Sequence, residues 1–275
     1  MSPASETEKP TPSATRVEPK ATQASAAAAP EVKLLDAGSE PRRALRHTFA
    51  KGKLKLELEA ATKVSGPGGM ALPSMTLRGP IEAEVVEVKK AGDARFKFSA
   101  GPLVSGSKAP GGEGAGLGEL LGLSGASSAP KQIKGQALVS PRGVVSEFHL
   151  DEGGGVGDSP VESGDPFPEE AVGVGARWEV TSVVRERDGL MHQTSSYELV
   201  RLDKKQVTTK LSRTQTPLNA DETTASAAST GELTFRFGDV FPTGHLSMTR
   251  DMSSEVPGLG AVSIHMVSEV TMTRR

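Results

Sequence analysis

PFPEEAVGVGARWEVTSVVRERDGLMHQTSSYELVRLDKKQVTTKLSRTQ, residues 166–215, is the stretch from which the fold can be read. It holds the only tryptophan, Trp178, at the head of an alternating run. Trp178, Val180, Ser182 and Val184 fall on one side, and Arg177, Glu179, Thr181 and Val183 on the other. That two-residue period is the mark of a half-buried strand. Asp188-Gly189 supplies a hairpin turn, because the tight primed turns need positive φ, which Gly and Asp tolerate. A second strand is predicted from about Met191 to Leu202, a turn over Asp203 to Gln206, and a third strand from Val207 to Gln215. Together these predict an antiparallel meander.

Outward from this meander the same period recurs. Leu45 to Phe49 reads as a short first strand. Lys53 to Ala61 alternates cleanly, with Leu54, Leu56, Leu58 and Ala60 inward and Lys55, Glu57 and Glu59 outward. One dry face and one wet face is the signature of an antiparallel sheet. Ser65 to Gly69 breaks the run. Ile81 to Lys89 resumes it, with a parity change near Val85-Val86 that predicts a bulge. Ala94 to Ala100 follows, with Phe96 and Phe98 on one face. Ile133 to Leu150 reads as a hairpin turning at Pro141-Arg142-Gly143. Further strands are expected over Thr230 to Phe237, His245 to Asp251 and Val262 to Thr273, on the order of eleven in all. No stretch has strong helical periodicity. The expected class is all-β: a large curved antiparallel sheet or partly open barrel over residues 42–275.

Residues 1–41 read differently. They are rich in Ala, Pro, Ser, Thr, Glu and Lys and lack any aromatic side chain, so they cannot bury enough apolar surface to offset the entropy of ordering. They are expected to be a disordered tether. Residues 101–130 and 151–165 are Gly-rich and expected as flexible loops. Within the first, Leu117, Leu120, Leu121 and Leu123 form a greasy cluster that suits a core plug or a lid over a cavity. Thr216 to Ala228 is polar and expected as a loop.

Composition excludes several function classes. The 275 residues carry a formal net charge of −2, which gives no electrostatic case for nucleic acid. Aromatics are only 4%, a poor basis for base stacking. Cysteine is absent, so disulfides, thiolate metal sites and cysteine nucleophiles are out. No run of about 18 apolar residues predicts a transmembrane segment, and no basic start with an apolar stretch predicts a leader.

Catalytic motifs are missing. GEGAGLG, residues 112–118, lacks the spacing and the surrounding parallel unit of a dinucleotide loop. No phosphate loop and no nucleophile elbow occur. None of the five histidines, His47, His149, His192, His245 and His265, has metal-ligand spacing to another. His149, beside Asp151 and Glu152, alone has acidic near neighbours. No catalytic residue, metal or cofactor is expected. The expected ligand-binding residues are apolar: Trp178, Phe235, Phe237 and Met248 on one sheet face, with Leu120 and Leu121 from the loop.

PEEAVGVGARW, residues 168–178, and the C-terminal GELTFRF (231–237), GHLSMTR (244–250) and MVSEVTM (266–272) carry a resemblance. They resemble an uncharacterised family of exported bacterial β-rich proteins, lipoproteins among them. A more distant likeness is to the lipoprotein-carrier half-barrels, which wrap a curved sheet around an acyl-binding cavity, though this chain shows no clear plugging helix. The resemblance implies a periplasmic or outer-membrane-anchored protein, with a cytoplasmic location as the alternative. It carries over a fold and a location, not a role. With no convergent polar groups in view and a concave side to hide, the expected role is non-enzymatic: an apolar ligand or lipid-modified partner bound in the concave face. The alternative is an envelope scaffold or protein-interaction module with a filled core and no ligand.

Overall fold

The computed structural model describes residues 29–102, 104–108, 132–151, 163–186, 189–218, 225–256 and 260–275. The strands in chain order are β1 (Glu31–Asp36), β2 (Arg43–Ala44), β3 (Gly52–Ser65), β4 (Ser74–Val88), β5 (Ala94–Ala100), β6 (Val104–Lys108), β7 (Ile133–Val139) and β8 (Val144–Leu150). They continue with β9 (Ser163–Gly164), β10 (Ala171–Val172), β11 (Arg177–Glu186), β12 (Gly189–Leu202), β13 (Gln206–Pro217), β14 (Ala225–Arg236), β15 (Thr243–Val256) and β16 (Gly260–Arg274). The fold is all-β. Fourteen strands form one antiparallel sheet in the order β1-β11-β12-β13-β14-β15-β16-β3-β4-β5-β7-β8-β9, with β6 beside β4. Its two ends, β1 and β9, do not pair, so the sheet is not a closed barrel. β2 and β10 form a separate two-stranded ribbon.

The central meander is β11, β12 and β13, closed at its first hairpin by the Glu186–Gly189 pair. The bulge expected at Val85-Val86 is present as a register shift between Val85 and Glu87 where β4 meets β5. The break after β3 is a short 3-10 turn, Pro67–Gly69, whose Gly68 and Gly69 take positive φ. Two pairings join segments remote in sequence: C-terminal β16 lies against β3, and β1 against β11.

Four expectations are corrected. The tether does not extend to Pro41: Glu31–Asp36 is an edge strand, in register with Leu34 opposite Trp178. Val32 and Leu34 pack on the main core and outweigh the local polar bias. Leu45 to Phe49 is not a strand. It threads across the inner face, burying Leu45 and Phe49, while the His47 and Thr48 amides donate to the carbonyls of Pro141 and Phe237. Its alternation records burial between two layers rather than membership of a sheet. β6 and β9 lie inside the stretches expected to be loops, and β14 begins at Ala225 within the expected loop 216–228. Residues 109–131, with the Leu cluster that includes Leu120 and Leu121, lie outside the described residues.

The sheet curls. Phe235 on β14 and Phe96 on β5 are five strand steps apart, which on a flat sheet means roughly 24 Å at the usual interstrand spacing. Yet the β14–β15 connection bridges them: the Phe241 ring meets Phe96 edge-on with centroids 5.6 Å apart. The main core lies under β11–β14 around Trp178, Tyr197, Leu199, Val207 and Leu211. Smaller clusters lie under β3–β5 and β7, around Phe49 and Phe96 and around Leu54 and Leu56.

An apolar cleft inside the curl

Between the two halves of the sheet, where the crossing segment 45–49 and the β14–β15 connection meet, lies a cleft of about 290 Å3. Six of the chain's eight phenylalanines line it: Phe49, Phe96, Phe98, Phe148, Phe235 and Phe241. Phe96 and Phe98 point inward because the β5 alternation puts Lys97 and Ser99 outside. Gly135 stands opposite Phe98 on β7, and a side chain there would strike the ring, since its Cβ would sit 2.7 Å from the ring edge. Phe98 stacks on Phe148 at 5.7 Å.

One end of the cleft is polar. His47 is clamped between the rings of Phe49 and Phe167, with centroids 5.1 and 5.2 Å away. Burial pushes its pKa down to about 4, against a smaller opposing pull from the Phe237 and Arg236 carbonyls. It is therefore neutral at physiological pH. Its Nδ1 is buried without a hydrogen-bond partner. Beside it, Asp165 accepts hydrogen bonds on Oδ1 from the Tyr197 hydroxyl and the Arg213 guanidinium, while Arg213 Nε donates to Ser195 Oγ at 2.9 Å. Burial, reinforced by the Asp165 charge, pushes the Tyr197 hydroxyl well above its usual pKa. Burial works against the Arg213 charge, but Asp165 and Tyr197 outweigh it and raise its pKa.

The residues singled out in the sequence scatter. Phe235 lines the cleft and packs edge-on to Phe167 at 5.5 Å. Trp178 does not line it: only 1% exposed, it stacks on Tyr197 at 5.2 Å in the filled core. Phe237 packs against that core with the Arg43 guanidinium 4.8 Å over its ring. Met248 is 39% exposed on β15, away from the cleft. Leu120 and Leu121 lie outside the described residues. His47, Asp165 and Phe241 were not singled out: His47 lay in a run whose alternation suggested a strand, and Asp165 and Phe241 sit in irregular segments where periodicity carries no information. His149 is exposed on β8.

A second depression, of about 390 Å3, lies on the outer side of β3, β4, β5 and β7 among Lys53, Lys55, Glu82, Glu84, Lys97 and Lys134. Two of those lysines already pair with Glu84 and Glu82, at 3.7 and 3.0 Å. It is a solvated charged face, and the phenylalanine cleft is the better candidate. Among the described residues, no group of three or more His, Cys, Asp or Glu side chains could hold a metal ion. No helix among them is long and apolar enough to cross a membrane. No protein-family model and no curated protein sequence matches this chain.

Proposed function

We propose that this protein is a non-enzymatic binding protein of the bacterial envelope, which takes an apolar ligand, or the lipid group of a modified partner, into the cleft inside the curl. The observation that carries the reading is the concentration of phenylalanine there. Aromatic side chains are scarce in this chain, and six of eight phenylalanines converge on one cleft of about 290 Å3, near the small end of ligand-site volumes. Apolar surface left facing a cleft is stabilised when a ligand displaces its water. The envelope location rests on the composition of residues 1–28 and on the family resemblance. A second reading, a scaffold with a filled interior, draws on the dry core around Trp178.

Titration of the folded protein with N-phenyl-1-naphthylamine separates the two. The binding reading expects saturable, blue-shifted probe emission that is lost in Phe148→Glu and in Phe241→Ala, with Trp178 emission unchanged. No saturable signal from the wild-type protein would leave the scaffold.

A further inference from the structure

The polar end of the cleft is chemically selective. Among the described residues, its lining contains one charged side chain, Asp165, and that carboxylate is already engaged by Arg213 and Tyr197. The only other ionisable lining side chain among the described residues is His47. Its ring is held in place by the two flanking phenylalanines, with Nε2 on the side of Gly143, another lining residue, 3.7 Å from where a Cβ would stand. A neutral imidazole offers one donor and one acceptor. Nδ1 is buried out of a ligand's reach, so Nε2, on the Gly143 side, is the nitrogen nearest the cleft.

We propose that the cleft selects uncharged amphiphiles, with the apolar body among the phenylalanines and a single hydroxyl or amide meeting the His47 imidazole. This rests on the binding reading above and narrows it to a ligand class. A hydroxyl both donates and accepts, so it satisfies either tautomer of the ring. A carboxylate brings a charge into an apolar cleft with no cation among its described lining residues. The arginines nearby are already engaged: Arg213 by Asp165, Arg142 by Glu169 and the Phe167 carbonyl, and Arg46 by the Pro168 and Glu169 carbonyls. A quaternary ammonium gains some attraction from the phenylalanine faces but finds no free counter-charge, because Asp165 is paired with Arg213 and the imidazole carries no negative charge.

The test is competition against bound N-phenyl-1-naphthylamine at pH 7.5 by three ligands of equal chain length: 1-decanol, decanoate and decyltrimethylammonium. Decanol is expected to displace the probe, with decanoate at least about a hundredfold weaker, as burial of an unpaired charge dictates, and decyltrimethylammonium weaker by more than about tenfold, its cost partly offset by the ring faces. His47→Phe is expected to weaken decanol about five- to tenfold relative to the probe, the worth of one hydrogen bond, with the probe's own affinity for the variant measured first. Either charged ligand within tenfold of decanol on the wild-type protein overturns the assignment without recourse to any variant. So does decanol affinity that is indifferent to His47→Phe. Failure of the probe itself to bind the wild-type protein, read before any competitor is added, removes the binding reading and this assignment together.

Discussion

Asp165, at the foot of one end of the sheet, and Arg213, on β13 near the other, form an ion pair in which each side chain is 22% exposed. Ten strand steps separate β9, just before Asp165, from β12, which carries Tyr197, the other donor to the same carboxylate. The pair therefore ties the β9 end of the sheet to interior strands near its other end, a link that the backbone ladder does not make. Removing one partner strands a mostly buried charge. Asp165→Ala is expected to cost about 3 kcal/mol in urea denaturation. Adding Arg213→Met to it should recover part of that loss, and a double-mutant cycle that shows strict additivity would rule out the coupling.

Gly173 passes so close to the β1–β2 connection that a Cβ on it would lie 1.7 Å from the Ser39 carbonyl oxygen. The contact is backbone against backbone and cannot be relieved by a rotamer. Gly173→Ala is expected to destabilise the fold by about 3 kcal/mol or to detach residues 31–41. Amide exchange in β1 is the readout. Protection there equal to wild type would show that the two backbones can part cheaply.

The His47 pKa, about 4 in the fold against 6.5 in the unfolded chain, makes stability fall on acidification. Between those values the unfolded chain binds more protons than the folded one. The stability tied to this group is thus complete above about pH 6.5, is lost as pH drops toward 4, and changes no further below that. The full loss is about 3 kcal/mol, an upper figure from the size of the shift. Urea midpoints measured from pH 7.5 to 4 should show this slope in the wild-type protein and a shallower one in His47→Phe. Equal slopes would locate the acid sensitivity elsewhere.

Trp178 reports on β1. Leu34 is its cross-strand neighbour, and the indole is sealed beneath that edge. Deleting residues 1–28 is expected to leave its emission blue-shifted, while deleting residues 1–36 is expected to shift it to the red and to lower stability by about 2 kcal/mol, the worth of the apolar side chains removed. Identical spectra from the two truncations would mean that β1 contributes nothing to the core.

The limits of the sequence reading show in particular residues. Val32 and Leu34 alternate as a strand should, but six residues beside an Ala- and Pro-rich stretch are too faint a signal, and only the contact with Trp178 and its neighbours reveals them. Phe96 and Phe98 were legible as one face of β5. That Phe241 turns back onto them was not, because a contact across five strands leaves no trace in local periodicity. Trp178 drew attention as the sole tryptophan, and its place is structural. His47 lay in a run whose alternation suggested a strand, and its meaning depends on Phe167, 120 residues away in sequence.

By itself, the order of residues determined the antiparallel all-β class, the meander after Trp178, the bulge at Val85 and the turn glycines. All are properties of neighbours within a few positions, where side-chain parity and φ preference act. The tertiary structure alone decided that β16 meets β3, that β1 closes over β11, and that phenylalanines from distant strands share a cleft with a neutral histidine. Those outcomes follow from how far the sheet curls before its inner faces touch, and curl is a sum over every strand rather than a feature of any one segment.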